Sequence, residues 1–141
     1  MLGYYRNPIN FVFFNESIVV CAINSFGAEQ AWKNGIPYED VFSRACYLSE
    51  LLKREEVLKE RIKPGNKQLF DKLISFMQEQ RILAINPENK SISLKGTGEA
   101  TLLFIGSICW PMIDTYYVTL LFALSMVKQK NILDSNFPKD V

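Results

Sequence analysis

The chain has no histidine at all. Imidazole is the side chain whose ordinary pKa lies nearest neutrality, so every serine, cysteine or acyltransferase arrangement that relies on it as general base is excluded within these 141 residues. Cysteine is scarce too. Cys21, Cys46 and Cys109 each stand alone in an apolar stretch, with no C-x-x-C spacing, so buried reduced thiols are expected rather than a zinc shell. Net charge is almost absent: 16 basic against 15 acidic residues leave +1, which gives no global field to gather nucleic acid or an anionic membrane. There is no P-loop, and Gly96-Thr97-Gly98 lacks dinucleotide spacing and a strand feeding a helix, so it reads as turn chemistry. A signal-peptide layout is missing, because Asn15, Glu16 and Ser17 interrupt the apolar run after Arg6; no export is expected. Leu2 to Tyr5 already read as part of an element, as of a chain that starts inside something longer.

What remains is apolar. A hydrophobic content of 48% and an aromatic content of 13% argue against disorder and for a dense core or a membrane-facing surface. The length fits one domain, residues 1–141, without disulfide or metal staples. The expected fold is mainly α, about five helices with one small β-hairpin. Pro8 to Phe26 reads as a buried helix, apolar nearly all round, with Gly27 as its cap. Helical character is open over Ala28 to Lys33, and Gly35-Ile36-Pro37 punctuates. Val41, Ala45, Leu48 and Leu52 recur at helical spacing from Tyr38 to about Arg61, with i to i+4 pairs Glu50–Arg54 and Glu55–Lys59 on the wet face. Pro64-Gly65 ends that helix. Asn66 to Gln80 is a third, striped by Leu69, Phe70, Leu73, Ile74 and Met77. Ile82–Ile85 and Ser91–Leu94 then form a hairpin across Asn86 to Lys90, and a helix leading into a hairpin is half a winged helix.

From Ala100 to Val127 the only charge is Asp114. As one helix this run would measure about 42 Å, more than a bilayer's hydrocarbon thickness. Proline disfavours the helical region at the residue before it, so the expectation is two helices, Thr101–Cys109 and Pro111–Lys128, meeting at Trp110. Asp114 would then lie near a helix N-terminus, where the dipole favours a carboxylate, in surroundings apolar enough to desolvate it. Asp134 to Val141 reads as a polar tail. The acidic pairs Glu39-Asp40 and Glu55-Glu56 sit on or beside charged helix faces, where neighbours point about 100° apart and share no site. Tyr4-Tyr5-Arg6-Asn7-Pro8 sets aromatic rings beside a guanidinium. It can hold an anion, but capping of the first helix by Arg6 and Asn7 is the favoured role.

Tyr5-Arg6-Asn7, followed by the apolar Ile9 to Phe14 and by Glu16-Ser17-Ile18-Val19, resembles the segment just beyond the catalytic domain of glycerol-3-phosphate and dihydroxyacetone-phosphate acyltransferases, where a Y-x-R-N pattern precedes a hydrophobic stretch. Pro111-Met112-Ile113-Asp114-Thr115-Tyr116-Tyr117 is similar to that family's P-F-x-[DE]-[ST]-Y-[WY] pattern, and Leu69 to Leu94 occupies the place of the helix and short strands between them. The likeness runs from about Tyr4 to Lys128. Phe11 stands where the family often has histidine, and Met112 replaces its phenylalanine. The family's H-x-x-x-x-D motif and its glycine, arginine and F-P-E-G motifs are absent, so no catalytic role carries over to any residue here.

The resemblance implies a helical region without cofactor or metal of its own, packed in cis or in trans against the catalytic domain of an intracellular, membrane-associated enzyme. Acyl-CoA would be a substrate of that enzyme, and the mitochondrial outer membrane or another lipid-synthesis membrane its location. Tyr5, Arg6, Asn7, Pro111, Asp114 and Tyr116 are the structural or interaction candidates. A competing reading is a winged-helix interaction module, for which the wing offers only Lys90 and Lys95 and the helix mixes Lys67 and Lys72 with Asp71 and Glu79, too little for nucleic acid. An integral anchor over Thr101 to Val127 is the third, disfavoured by Pro111 and Asp114 in mid-run.

Overall fold

A run with apolar side chains on every side has to sit at the centre of a fold, and α1 (Phe14–Asn24) does so. Ile18, Val19, Val20, Ala22 and Ile23 are fully buried; the C-cap is Ser25, and Gly27, the expected cap, lies two residues beyond it in the left-handed region at φ 90°. The computed structural model describes residues 13–27, 30–53 and 60–136. The chain divides into two compact units, Met1–Trp110 and Pro111–Val141.

In the first unit a π-helical turn (Gln30–Asn34) leads to β1 (Ile36–Pro37) and α2 (Tyr38–Leu51), whose first turn carries Glu39 and Asp40 where the dipole favours them. The helix stops at Leu51 rather than near Arg61, and the expected Glu55–Lys59 pair falls outside the described residues, as does Arg54. Glu50 pairs with Lys53, three residues on. A 3₁₀ turn (Pro64–Asn66) opens α3 (Lys67–Glu79), which buries Phe70, Leu73, Ile74 and Met77 in the stripe anticipated from the sequence. The Phe70 ring meets Tyr38 edge-on and Phe42 at a tilt, both with centroids 5.2 Å away. The Tyr38 hydroxyl donates to Asp71 Oδ1 at 2.7 Å, and Lys67 pairs with Glu39 beneath the same two rings, so α2 and α3 are clamped at one end.

Arg81, left-handed at φ 58°, turns the chain into β2 (Leu83–Asn86), which pairs antiparallel with β3 (Ser91–Leu94) within a residue of the expected hairpin. β3 also pairs with β1 through Ile36↔Ile92 and Pro37↔Ser91, giving the order β1-β3-β2. Pro37, lacking a ladder donor, sits on an edge strand where that omission is tolerated. Ile36, Ile92 and Ile85 lie side by side across the sheet, with Ile36 and Ile92 fully buried. With α1 ahead of β1, and α2 and α3 between β1 and β2, the connectivity is that of a winged helix. Gly98, in a 3₁₀ turn (Gly96–Gly98), then passes so close to the start of β2 that a Cβ would lie 2.7 Å from both Cα and the carbonyl oxygen of Ile82. The glycine pair forms a turn, and Gly98 is also needed for close packing on Ile82.

The last helix corrects that reading. Glu99–Asn136 is one α-helix, α4, with Pro111 inside it and not at a junction of two helices. It reaches into the segment expected as a polar tail. Its first turns are in the first unit, where Leu102, Ile105 and Cys109 are buried, and the remainder belongs to the second. The chain is thus mainly helical, with four α-helices and one small antiparallel sheet among the described residues.

Candidate docking surface

Of the six residues singled out from the sequence, Tyr5, Arg6 and Asn7 lie outside the described residues. Pro111, Asp114 and Tyr116 all fall on α4. With the helix beginning at Glu99, Asp114 is in its interior rather than near an N-terminus, and its carboxylate is exposed. The dipole argument for it therefore lapses. Tyr116 is half-buried.

An interior proline removes one ladder hydrogen bond and its ring crowds the carbonyl four residues earlier, at a cost of about 3 kcal/mol. In the turn before Pro111, α1 supplies side-chain partners to the α4 backbone. The Ser17 hydroxyl, fully buried, donates to the Gly106 carbonyl at 3.4 Å and accepts the Cys109 N–H at 3.0 Å. The Cys21 thiol points at the same Gly106 carbonyl at 3.7 Å, and the Cys109 thiol at the Phe14 carbonyl at 3.9 Å. The crossing is close because Gly106 has no side chain; a Cβ there would stand 3.2 Å from Val20 Cγ1. Sequence reasoning did not single out Ser17 or Gly106. The available signal was the presence of small residues in runs otherwise filled with large apolar ones. Burial raises the Cys21 thiol to about 11, so it stays a protonated thiol at neutral pH; Cys21 and Cys109 are buried as expected, whereas Cys46 is half-buried.

From Tyr117 to Val127 the large apolar side chains of α4 are uncovered. Tyr117, Val118, Leu120, Leu121, Phe122, Leu124, Met126 and Val127 are all exposed, Phe122 to 66%. These residues cover every side of the helix and not one stripe. Single exposed apolar residues are ordinary on a protein surface, but a continuous sleeve of them marks an interaction site. By length and composition alone, Glu99–Lys128 is long and apolar enough to cross a membrane. Three of its hydroxyls bond to its own backbone: Thr115 donates to the Pro111 carbonyl, Thr119 to that of Thr115 and Ser125 to that of Phe122, each at 2.7 Å.

Other surfaces offer less. A shallow depression of about 390 Å³ is lined by Phe26, Asp40, Ser43, Arg44 and Tyr47, with the Arg44 guanidinium 5.0 Å from the Phe26 ring centre. The outer face of α3, where a winged helix would read DNA, carries Asp71, Lys72 and Glu79, with Lys67 at its first residue already engaged by Glu39, so no basic footprint forms. Tyr38 is held above the usual tyrosine range by burial and then by its bond to Asp71, which makes it a clamp and not an acid. Among the described residues no cluster of three or more cysteines, aspartates or glutamates is placed to hold a metal.

The family model for the glycerol-3-phosphate acyltransferase C-terminal region matches residues 1–141, the whole chain. No curated protein and no solved structure matches.

Proposed function

Because the chain belongs to the glycerol-3-phosphate acyltransferase C-terminal family, we propose that it serves as the non-catalytic accessory region of an acyltransferase that transfers an acyl group from acyl-CoA to glycerol 3-phosphate or dihydroxyacetone phosphate. The observation that carries this is a family match over the full length of a chain without histidine. The chemistry would then reside in a catalytic domain joined in cis or in trans. The region contributes to glycerolipid and phospholipid synthesis by packing against that domain and supporting its fold, within an enzyme that works at an intracellular lipid-synthesis membrane, such as the mitochondrial outer membrane. The uncovered sleeve of α4 supports a packing role, since such a surface is costly to leave in water.

The test is acyl-CoA-dependent acylation of glycerol 3-phosphate by the chain alone and by the chain assembled with a catalytic domain carrying H-x-x-x-x-D. The chain alone is expected to give no turnover, and the assembled enzyme is expected to lose activity when this region is removed. Turnover by the chain alone would refute the proposal, as would full activity without it. The winged-helix connectivity leaves an interaction role open for α3 and the β2–β3 hairpin within the same enzyme. Salt-dependent retention on DNA would revive a nucleic-acid role.

A further inference from the structure

On α2, Asp40, Ser43, Arg44 and Tyr47 follow one another at i, i+3, i+4 and i+7, the spacing that puts side chains on one helix face. All four are exposed, Tyr47 to 65%, and with Phe26 they line the depression of about 390 Å³. It is small beside the sleeve of α4, but its chemistry specifies what would cover it, as a purely apolar surface does not. An acid four residues ahead of a base is the favourable order for an ion pair within a helix. Asp40 and Arg44 form none, and among the described residues neither has a hydrogen-bond or ion-pair partner. Their neighbours on the same helix are taken, Glu39 by Lys67 and Glu50 by Lys53. Arg44 lies instead over the Phe26 ring, 5.0 Å from its centre, which leaves the N–H donors of its guanidinium unspent.

These observations narrow the occupant. Asp40 offsets Arg44 on the same face, so a polyphosphate, a nucleic acid or an anionic lipid surface meets no net positive field there. The depression is too shallow to enclose a small metabolite, whose sites bury most of the ligand. What fits is a protein segment that brings an acid and a base together. The composition agrees, since tyrosine and arginine are the residues on which protein interfaces concentrate their energy. A guanidinium already laid on a ring also loses less freedom when its partner arrives. A stable interface covers about 800 Å² on each side, so the depression would be its centre and not its whole extent. We infer that this face of α2 is a docking site for a segment of the catalytic domain that presents a carboxylate to Arg44 and a basic side chain to Asp40. This rests on the accessory-region reading and names the surface and the charge pattern of its partner.

The test uses the assembled enzyme with a photo-reactive phenylalanine analogue at position 47 or, as a control, at position 78, an exposed glutamine on α3. Mass spectrometry after irradiation should find position 47 linked to the catalytic domain and position 78 linked far less. Links from position 47 only to lipid, to a second copy of this chain or to this chain itself, or no more links than from position 78, would overturn the inference. Arg44→Glu should lower both the linking and the acyl transfer by roughly tenfold or more, as the loss of a hot spot does. Its melting midpoint should stay close to the parent's, because Arg44 is exposed. Asp40→Lys, at a separate exposed position, should give the same losses. Changing the catalytic-domain acid found beside the link to arginine should restore Arg44→Glu. Parent-level linking and activity in both variants, or no such rescue, would also overturn the inference. Removing this region from the assembled enzyme separates the two failures: unchanged activity refutes the accessory-region reading itself, whereas lost activity without links from position 47 refutes only the docking on α2.

Discussion

Replacing Gly98 by alanine tests whether the passage from sheet to α4 depends on backbone contact. The added Cβ would sit 2.7 Å from Ile82 Cα and 2.7 Å from its carbonyl oxygen, with the carbonyl carbon at 3.1 Å. Carbon atoms are at ease about 3.5–4.0 Å apart, so close to an ångström of separation must be found. Neither side yields cheaply. The Ile82 N–H donates to the Met77 carbonyl at 3.0 Å and its carbonyl accepts from Lys95 at 3.2 Å, while the Gly98 N–H donates to the Lys95 carbonyl at 2.9 Å. Overpacking against well-placed atoms costs typically 1–3 kcal/mol, and backbone on the receiving side puts this case near the top, about 3 kcal/mol. Gly96→Ala is the internal control, since nothing lies within 4 Å of the Cβ it would add. Its effect should stay within about 0.5 kcal/mol, the range of unencumbered surface positions. Urea unfolding of the two variants and the parent, followed by circular dichroism, gives the comparison. Equal midpoints for Gly98→Ala and Gly96→Ala would refute the close approach.

Three further outcomes are expected. Ser17→Ala removes both the acceptor of the Cys109 N–H and the donor to the Gly106 carbonyl in a buried crossing, and should lower stability by about 1–3 kcal/mol in the same denaturation assay. Glu16 has its pKa raised above 4.5, chiefly by burial, so the folded state holds its proton more tightly than the unfolded chain does. Stability should therefore fall as pH rises from the unfolded value through the raised folded one. Glu16→Gln should abolish that slope and raise the melting midpoint at pH 7, as read by thermal scans across the window. Cys21, at about 11, carries at pH 8 only about one thousandth of its population as thiolate, so a thiol-specific maleimide should label half-buried Cys46 first and Cys21 only on unfolding. Faster labelling of Cys21 in the native protein would contradict its burial against α4.

The parts of this fold visible in the sequence are those that local periodicity encodes. Leu69, Phe70, Leu73, Ile74 and Met77 recur at helical spacing, and the structure buries the last four and half-buries Leu69. The Asn86–Lys90 turn between two short β-rich runs marked the hairpin within a residue. What was missed depends on partners distant in sequence. β1 is only two residues long, below any pattern, and is a strand because Ile36 meets Ile92. Pro111 is the instructive error. A local steric rule predicted a break, but α4 runs through it, with Ser17 and Cys21 bonding to the turn before it. Asp114 was picked out by its apolar neighbours in sequence. It is an exposed carboxylate in the interior of α4 and not a helix-end charge. The apolar run is legible in the sequence, but only the structure shows that Leu102, Ile105 and Cys109 are buried while Leu103, Phe104 and Trp110 on the same turns stay exposed.

The order of strands in the sheet has a consequence for how the chain is made. β3 lies between β1 and β2 yet follows both in sequence. A nascent chain emerging residue by residue has therefore exposed Ile36 and Pro37, and then two whole helices, before Ser91 to Leu94 leave the ribosome. Until that moment β1 has nothing to pair with, and β2 waits beside a vacant middle position. The late central strand acts as a completion signal: it closes the sheet at both edges in one step, only after the helices that will cover it exist.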